Sequence, residues 1–213
     1  MKSSFIAILL FVSFSPLGSS FPECLANGEN NINPQSINAH GGSIIQSDDK
    51  YYWFGEIKGS GNNGNKVQQG ISVYVSSGLC NWAYKGIAYN AEQNKNIAYL
   101  ERPKVIYNSK IKKYVMWFHI DFSTGFKGNS YARAGVAVSD TVIGPYKFVN
   151  SYRPNYNTLP KNYNSSKQKN ELFAKGINSG FDSRDFTLFK DNLGIAYIIY
   201  NSEMNNTLHV AKL

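Results

Sequence analysis

Three stretches of the chain share one alternation of apolar and polar positions. Each opens on a polar residue, runs through a short apolar segment, turns in a patch rich in Asp, Asn, Ser and Lys, and returns as an aromatic, β-branched segment. In the first, His40 precedes Ile44 and Ile45, the turn Ser47 to Lys50 and the return Tyr51 to Phe54. In the second, Glu101 precedes Val105 and Ile106, the turn Asn108 to Lys113 and the return Tyr114 to Trp117. In the third, Asp185 precedes Phe186 to Phe189, the turn Asp191 to Gly194 and the return Ile195 to Tyr200. The leading residue stands 12 or 13 positions ahead of a strand tyrosine: His40 before Tyr52, Glu101 before Tyr114, Asp185 before Tyr197. Each stretch therefore predicts a β-hairpin with a polar group at its start.

Two more apolar runs follow each of the first two hairpins, Ile71–Ser77 with Asn81–Gly86 and Ala134–Asp140 with Gly144–Val149. That makes four strands per module. Equivalent positions Ile44, Val105 and Leu188 lie 61 and 83 residues apart, a long repeat stretched by insertions. Four-stranded antiparallel modules in series predict an all-β chain built as a β-propeller. Blade one is expected over residues 40–90 and blade two over 101–150. A polar linker, 151–182, joins them to a third blade over 183–213, for which the pattern supplies three strands, about two and three-quarter blades in all. The linker reads as a structureless segment overhanging the mouth of the propeller.

Composition agrees with strands: 15 Tyr and 13 Phe stand against 3 Met. Residues 1–20 are different, with Lys2, an apolar run from Phe5 to Phe14, and small residues at Gly18 and Ser20. They predict a signal peptide, followed by an irregular arm over 21–37, and hence a secreted protein. No later run reaches the roughly 20 apolar residues a membrane helix needs, so no membrane partner is expected. In an oxidising compartment Cys24 and Cys80 are candidates for one disulfide, and Asn164 and Asn205 open N-glycosylation sequons. The net charge of +8 comes from lysines scattered through turns, which predicts a solvated basic surface and no nucleic-acid partner.

In a propeller the first strand of each blade lines the central channel, so His40, Glu101 and Asp185 are expected around one funnel. Two carboxylates and an imidazole, with Arg102, Arg133 and Arg184 nearby, suit a sugar: carboxylates do acid and base work at a glycosidic oxygen. No spacing of His, Cys and carboxylates matches a zinc site, and there is no glycine-rich phosphate loop; neither metal nor cofactor is expected.

The strings Ile37-Asn-Ala-His-Gly-Gly42, Lys50-Tyr-Tyr-Trp-Phe-Gly-Glu56, Glu101-Arg-Pro-Lys-Val-Ile-Tyr107, Lys113-Tyr-Val-Met-Trp117, Ala132-Arg-Ala-Gly-Val-Ala-Val-Ser139 and Ser183-Arg-Asp185 resemble glycoside hydrolase family 43. More narrowly they are similar to its exo-β-1,3-galactanase (galactan 1,3-β-galactosidase) branch, from about residue 36 to residue 213. The resemblance implies a five-bladed propeller, inversion at the anomeric carbon, and a partner carrying β-1,3-linked galactose. It implies that Asp185 tunes and orients the general acid and that Glu101 holds the terminal galactose and assists catalysis. His40 stands where most of the family has an aspartate base. The implied general acid, a glutamate of the next blade, and a later glutamine proposed as base in this branch match no region of the sequence. The chain is therefore expected to be the N-terminal portion of a hydrolase domain; the alternative is a catalytically inactive, carbohydrate-binding remnant.

His119 and Arg133 match family positions and are expected to touch the sugar. Glu56 and Glu203, which end aromatic strands, either reach the funnel or pair with an arginine in a structural salt bridge. Trp53, Trp82 and Trp117 are expected in the core between blades.

Overall fold

The computed structural model describes residues 37–59, 69–123, 131–166 and 171–213. The signal peptide, most of the arm and Cys24 of the expected disulfide lie outside these residues. Among the described residues eleven strands form three antiparallel meanders. Sheet one is β1 (His40–Ser47), β2 (Lys50–Glu56), β3 (Gly70–Ser76) and β4 (Ala83–Asn90). Sheet two is β5 (Ile97–Asn108), β6 (Lys113–Phe122), β7 (Arg133–Ser139) and β8 (Lys147–Tyr152). Sheet three is β9 (Phe186–Lys190), β10 (Ala196–Ser202) and β11 (Thr207–Lys212). The innermost strands converge, with β1 and β9 both lying against β5. These are three consecutive blades of a propeller. The fourth strands begin two or three residues later than the apolar runs suggested, because the turns before them take up residues.

Period-2 alternation decides which face of each sheet is buried. Tyr52, Phe54, Ile71 and Val73 of sheet one meet Leu100, Val105, Met116 and Phe118 of sheet two, with Tyr146 from the turn before β8, in one core. On the opposite side of sheet two, Val115, Trp117 and Ala134 meet Phe186, Ile198 and Tyr200 in a second core. Trp117 is thus in the inter-blade core as expected. Trp53 is not: lying between Tyr52 and Phe54 along β2, it points to the outer face of sheet one, where it meets Trp82 edge to face at 5.3 Å.

The linker departs from expectation. It carries a helix, α1 (Glu171–Ser179), whose Phe173 enters the second core beside Phe181. Tyr163 stacks on Phe173 with ring centroids 5.8 Å apart, and Asn155 donates to the Tyr200 hydroxyl at 2.9 Å. Both ends of the described linker are anchored to the seam between sheets two and three.

Candidate functional site

The three expected mouth residues occupy matching places. His40 faces Glu56 across β1 and β2, and Glu101 faces His119 across β5 and β6. Asp185 accepts a backbone hydrogen bond from Asn201 at 2.9 Å just ahead of β9. Next to the first two, both inner strands are bulged. β1 shifts register between His40 and Ser43, with Gly41 at φ 60°, and β5 shifts between Glu101 and Lys104, with Arg102 at φ 56°. A bulge bends its strand and re-aims side chains. Holding a residue with a Cβ in the left-handed region costs about 1 kcal/mol or more, and here it turns Arg102 towards blade three.

A chain of ion pairs follows. Lys58 Nζ lies 3.0 Å from Glu56 Oε2, and His40 Nδ1 donates to Glu56 Oε1 at 2.8 Å. Only 1% of the Glu56 side chain is exposed, against 59% of His40. A Cβ on Gly41 would stand 3.0 Å from Glu56 Oε1 and 3.4 Å from Arg102 Nη1, so glycine is what lets those two groups draw near. Arg102 Nε donates to Asp185 Oδ1, joining blade two to blade three. Beneath them the Lys104 ammonium donates to the carbonyls of Gly41 at 3.0 Å and Gly42 at 3.1 Å, tying the two bulges together. Burial, with the Arg102 charge beside it, pulls Lys104 down to about 8 against the opposing pull of Asp185 and Glu56.

Behind Asp185, His119 is buried and donates from Nδ1 to the Ser183 carbonyl at 2.7 Å, while its Nε2 lies 3.5 Å from Asp121 Oδ2. Burial alone would lower its pKa; the Asp121 carboxylate, the Ser183 carbonyl and the charge of Glu101 outweigh that and raise it. Asp182 is a second anchor. It accepts from Ser202 Oγ at 2.7 Å, the Glu203 amide at 2.8 Å and Arg184 Nε at 3.0 Å. These donors, with Arg153 nearby, overcome its burial and hold its carboxyl below the usual range. Among the described residues no three His, Cys, Asp or Glu side chains gather as a metal site.

Solved structures with this arrangement of blades are similar to the chain. A GH43 β-1,3-galactosidase with galactodeoxynojirimycin is 38% identical at a TM-score of 0.74, the match covering 86% of this chain and 60% of that one. An exo-β-1,3-galactanase from Clostridium thermocellum is 30% identical at a TM-score of 0.68, with 86% and 36% covered. The exo-β-1,3-galactanase of Phanerochaete chrysosporium with galactose is 31% identical at 0.65, with 86% and 37% covered. In sequence and in fold the chain is similar to these members of glycoside hydrolase family 43. It spans 60% of the length of the first of these structures and little more than a third of the other two. No family model matches it, and no curated protein does.

The expected site residues divide in two. The His40–Glu56 and Arg102–Asp185 ion pairs stand on either side of Gly41, with Glu101 preceding Arg102 and facing His119. Arg133 and Glu203 lie apart. Arg133 spends its guanidinium on its own sheet, donating from Nε to Ser151 Oγ at 2.9 Å and from Nη2 to the Ser151 carbonyl. Glu203 is 1% exposed and turned inwards, held by Thr207 Oγ1 and by His209 Nε2 at 3.0 Å. Three successive positive φ values, at Glu203, Met204 and Asn205, curl this turn back on itself. Its partner is a histidine where an arginine was the alternative expected. Arg184 covers the Tyr131 ring at 4.8 Å as it grips Asp182. Lys58, Lys104, Asp121 and Asp182 carry no mark in the sequence pattern. Asp182 stands three residues before Asp185, and Lys104 two after Arg102, spacings that mark them only once the bulge and the loop are known.

Proposed function

We propose that the chain is part of a secreted, galactan-directed glycosidase and that the funnel between its three blades receives the terminal galactose of a β-1,3-linked chain. Glu101 and His40 hold the sugar, and Asp185, fixed by Arg102, orients and tunes the acid that protonates the leaving oxygen. Glu101 is the observation that carries this reading. It faces His119, whose ring is already engaged, across β5 and β6, and directly precedes Arg102, which holds Asp185; it makes no hydrogen bond to another described residue, which leaves its lone pairs for sugar hydroxyls. The ligands of similar structures, galactose and galactodeoxynojirimycin, have the same chemistry.

Titration of the folded protein with galactose and β-1,3-galactobiose, followed by calorimetry or NMR, tests the reading. Saturable binding that Glu101→Gln weakens at least tenfold is expected. Absence of binding to either sugar by protein with a cooperative melt would sink it.

A further inference from the structure

Resting on that reading of the funnel as a galactose site, we propose that Lys104 is its positioning residue: the ammonium clamps the bulges of blades one and two together, and the site takes sugar only while the clamp is charged. The two bulges are the same event in two strands. Gly41 and Gly42 of β1 stand against Gly55 alone, and Arg102 and Pro103 of β5 stand against Phe118 alone, so each strand carries two residues opposite one. The carbonyls of all four converge on one nitrogen. Lys104 Nζ donates to those of Gly41 at 3.0 Å and Gly42 at 3.1 Å, and reaches those of Arg102 and Pro103 at 3.4 Å each.

A ring of acceptors requires an ammonium. It offers three N–H donors, no lone pair and a full charge. A neutral amine keeps two donors and turns a lone pair on the carbonyls, so one bulge or the other is released. Each bulge carries part of the sugar site. His40 opens the one in β1, Glu101 opens the one in β5, and Arg102 within the second holds Asp185. The spacing of these groups across the seam between the two blades is thus set by a side chain that lies beneath them. Burial and the Arg102 guanidinium work against the ammonium, Asp185 and Glu56 work for it, and the balance leaves it at about 8. Below that pH the clamp is charged, above it neutral, and the apparent affinity for sugar follows the charged fraction.

Galactose titrations of the full chain at pH 7, 8 and 9 test this, with the carbonyl 13C signals of Gly41 and Gly42 followed over the same range. Wild type is expected to bind about tenfold more weakly at pH 9 than at pH 7, and the two glycine signals should move together with a midpoint near 8. Lys104→Met keeps the reach of the side chain but has no proton to lose. Its affinity should lie about tenfold or more below wild type at pH 7, with the carbonyls left unsatisfied, and stay flat up to pH 9. A purely structural lysine would not produce that difference in pH profile. Wild type that binds galactose equally at pH 7 and pH 9, or glycine carbonyls that ignore the midpoint, would overturn the clamp and leave the galactose site standing. So would Lys104→Met binding as tightly as wild type. If that variant does not fold, the wild-type profile decides by itself. Wild type that binds no galactose at pH 7 would remove the site and the clamp together.

Discussion

His119 shows how much a single side chain can do here. It bridges blade two to the segment that carries Asp185, and both of its nitrogens face acceptors, so the protonated ring is the form the fold prefers. A pKa raised in the folded state means that the bridge stabilises fully below the unfolded value, the ordinary 6.5, and that this stabilisation fades as pH climbs through the higher folded value. The urea midpoint of the wild type should therefore decline as pH rises above about 6.5. His119→Asn should lack that slope and lose about 1–3 kcal/mol at low pH through the orphaned Ser183 carbonyl; equal slopes in the two proteins would refute it. At this scale the sequence showed which groups occupy matching places in the three blades, since His40, Glu101 and Asp185 announce themselves by position in the repeat. It hid the groups that hold them. The Ser183 carbonyl that His119 reaches and the Asp185 carboxylate that Arg102 reaches are 64 and 83 residues away, a separation that no local pattern records.

Among the elements, the hairpins were legible because a half-buried strand must alternate, and Tyr52, Tyr114 and Tyr197 keep that alternation visible. Helix α1 was not. It has only nine residues, a glycine at 176 and a polar approach, so its apolar face amounts to Leu172, Phe173 and Ile177. Contact with Phe181 makes it a helix worth forming. Gly176 demonstrates the dependence. Helix propensity favours alanine there by about 1 kcal/mol, but a Cβ would stand 2.5 Å from the buried Phe181 ring. Gly176→Ala should accordingly destabilise by about 1–3 kcal/mol in denaturant melts. A stabilised variant would show that α1 packs more loosely than its contacts imply. The two alternatives for Glu203, funnel or ion pair, are decided by the turn after β10: the backbone reversal from 203 to 205 turns it inwards into an ion pair with His209.

At the level of the whole molecule, the two cores differ in extent. The one between sheets one and two is lined by Tyr52, Phe54, Met116, Phe118, Tyr146 and several aliphatic residues, all tightly buried. The second relies on fewer residues and on α1, and β11 leaves Leu208 and Val210 exposed at 68% and 62%. Amide exchange followed by mass spectrometry should find β9 to β11 opening more readily than β2, β3 and β6; uniform protection across the three sheets would contradict this. The paired bulges belong to this scale as well, because they are one backbone event occurring twice. In blade one the kink is made by Gly41, with Glu56 crowding the space a side chain would need; in blade two the same kink carries Arg102 with room to extend. A repeating unit of this kind is not equally editable in its copies. The bend of blade two already bears the cost of a side chain at a positive φ, so exchanging its guanidinium for another group changes chiefly what reaches the third blade. The corresponding bend of blade one resists a side chain on two counts, its positive φ and the Glu56 and Arg102 groups at 3.0 and 3.4 Å from where a Cβ would stand.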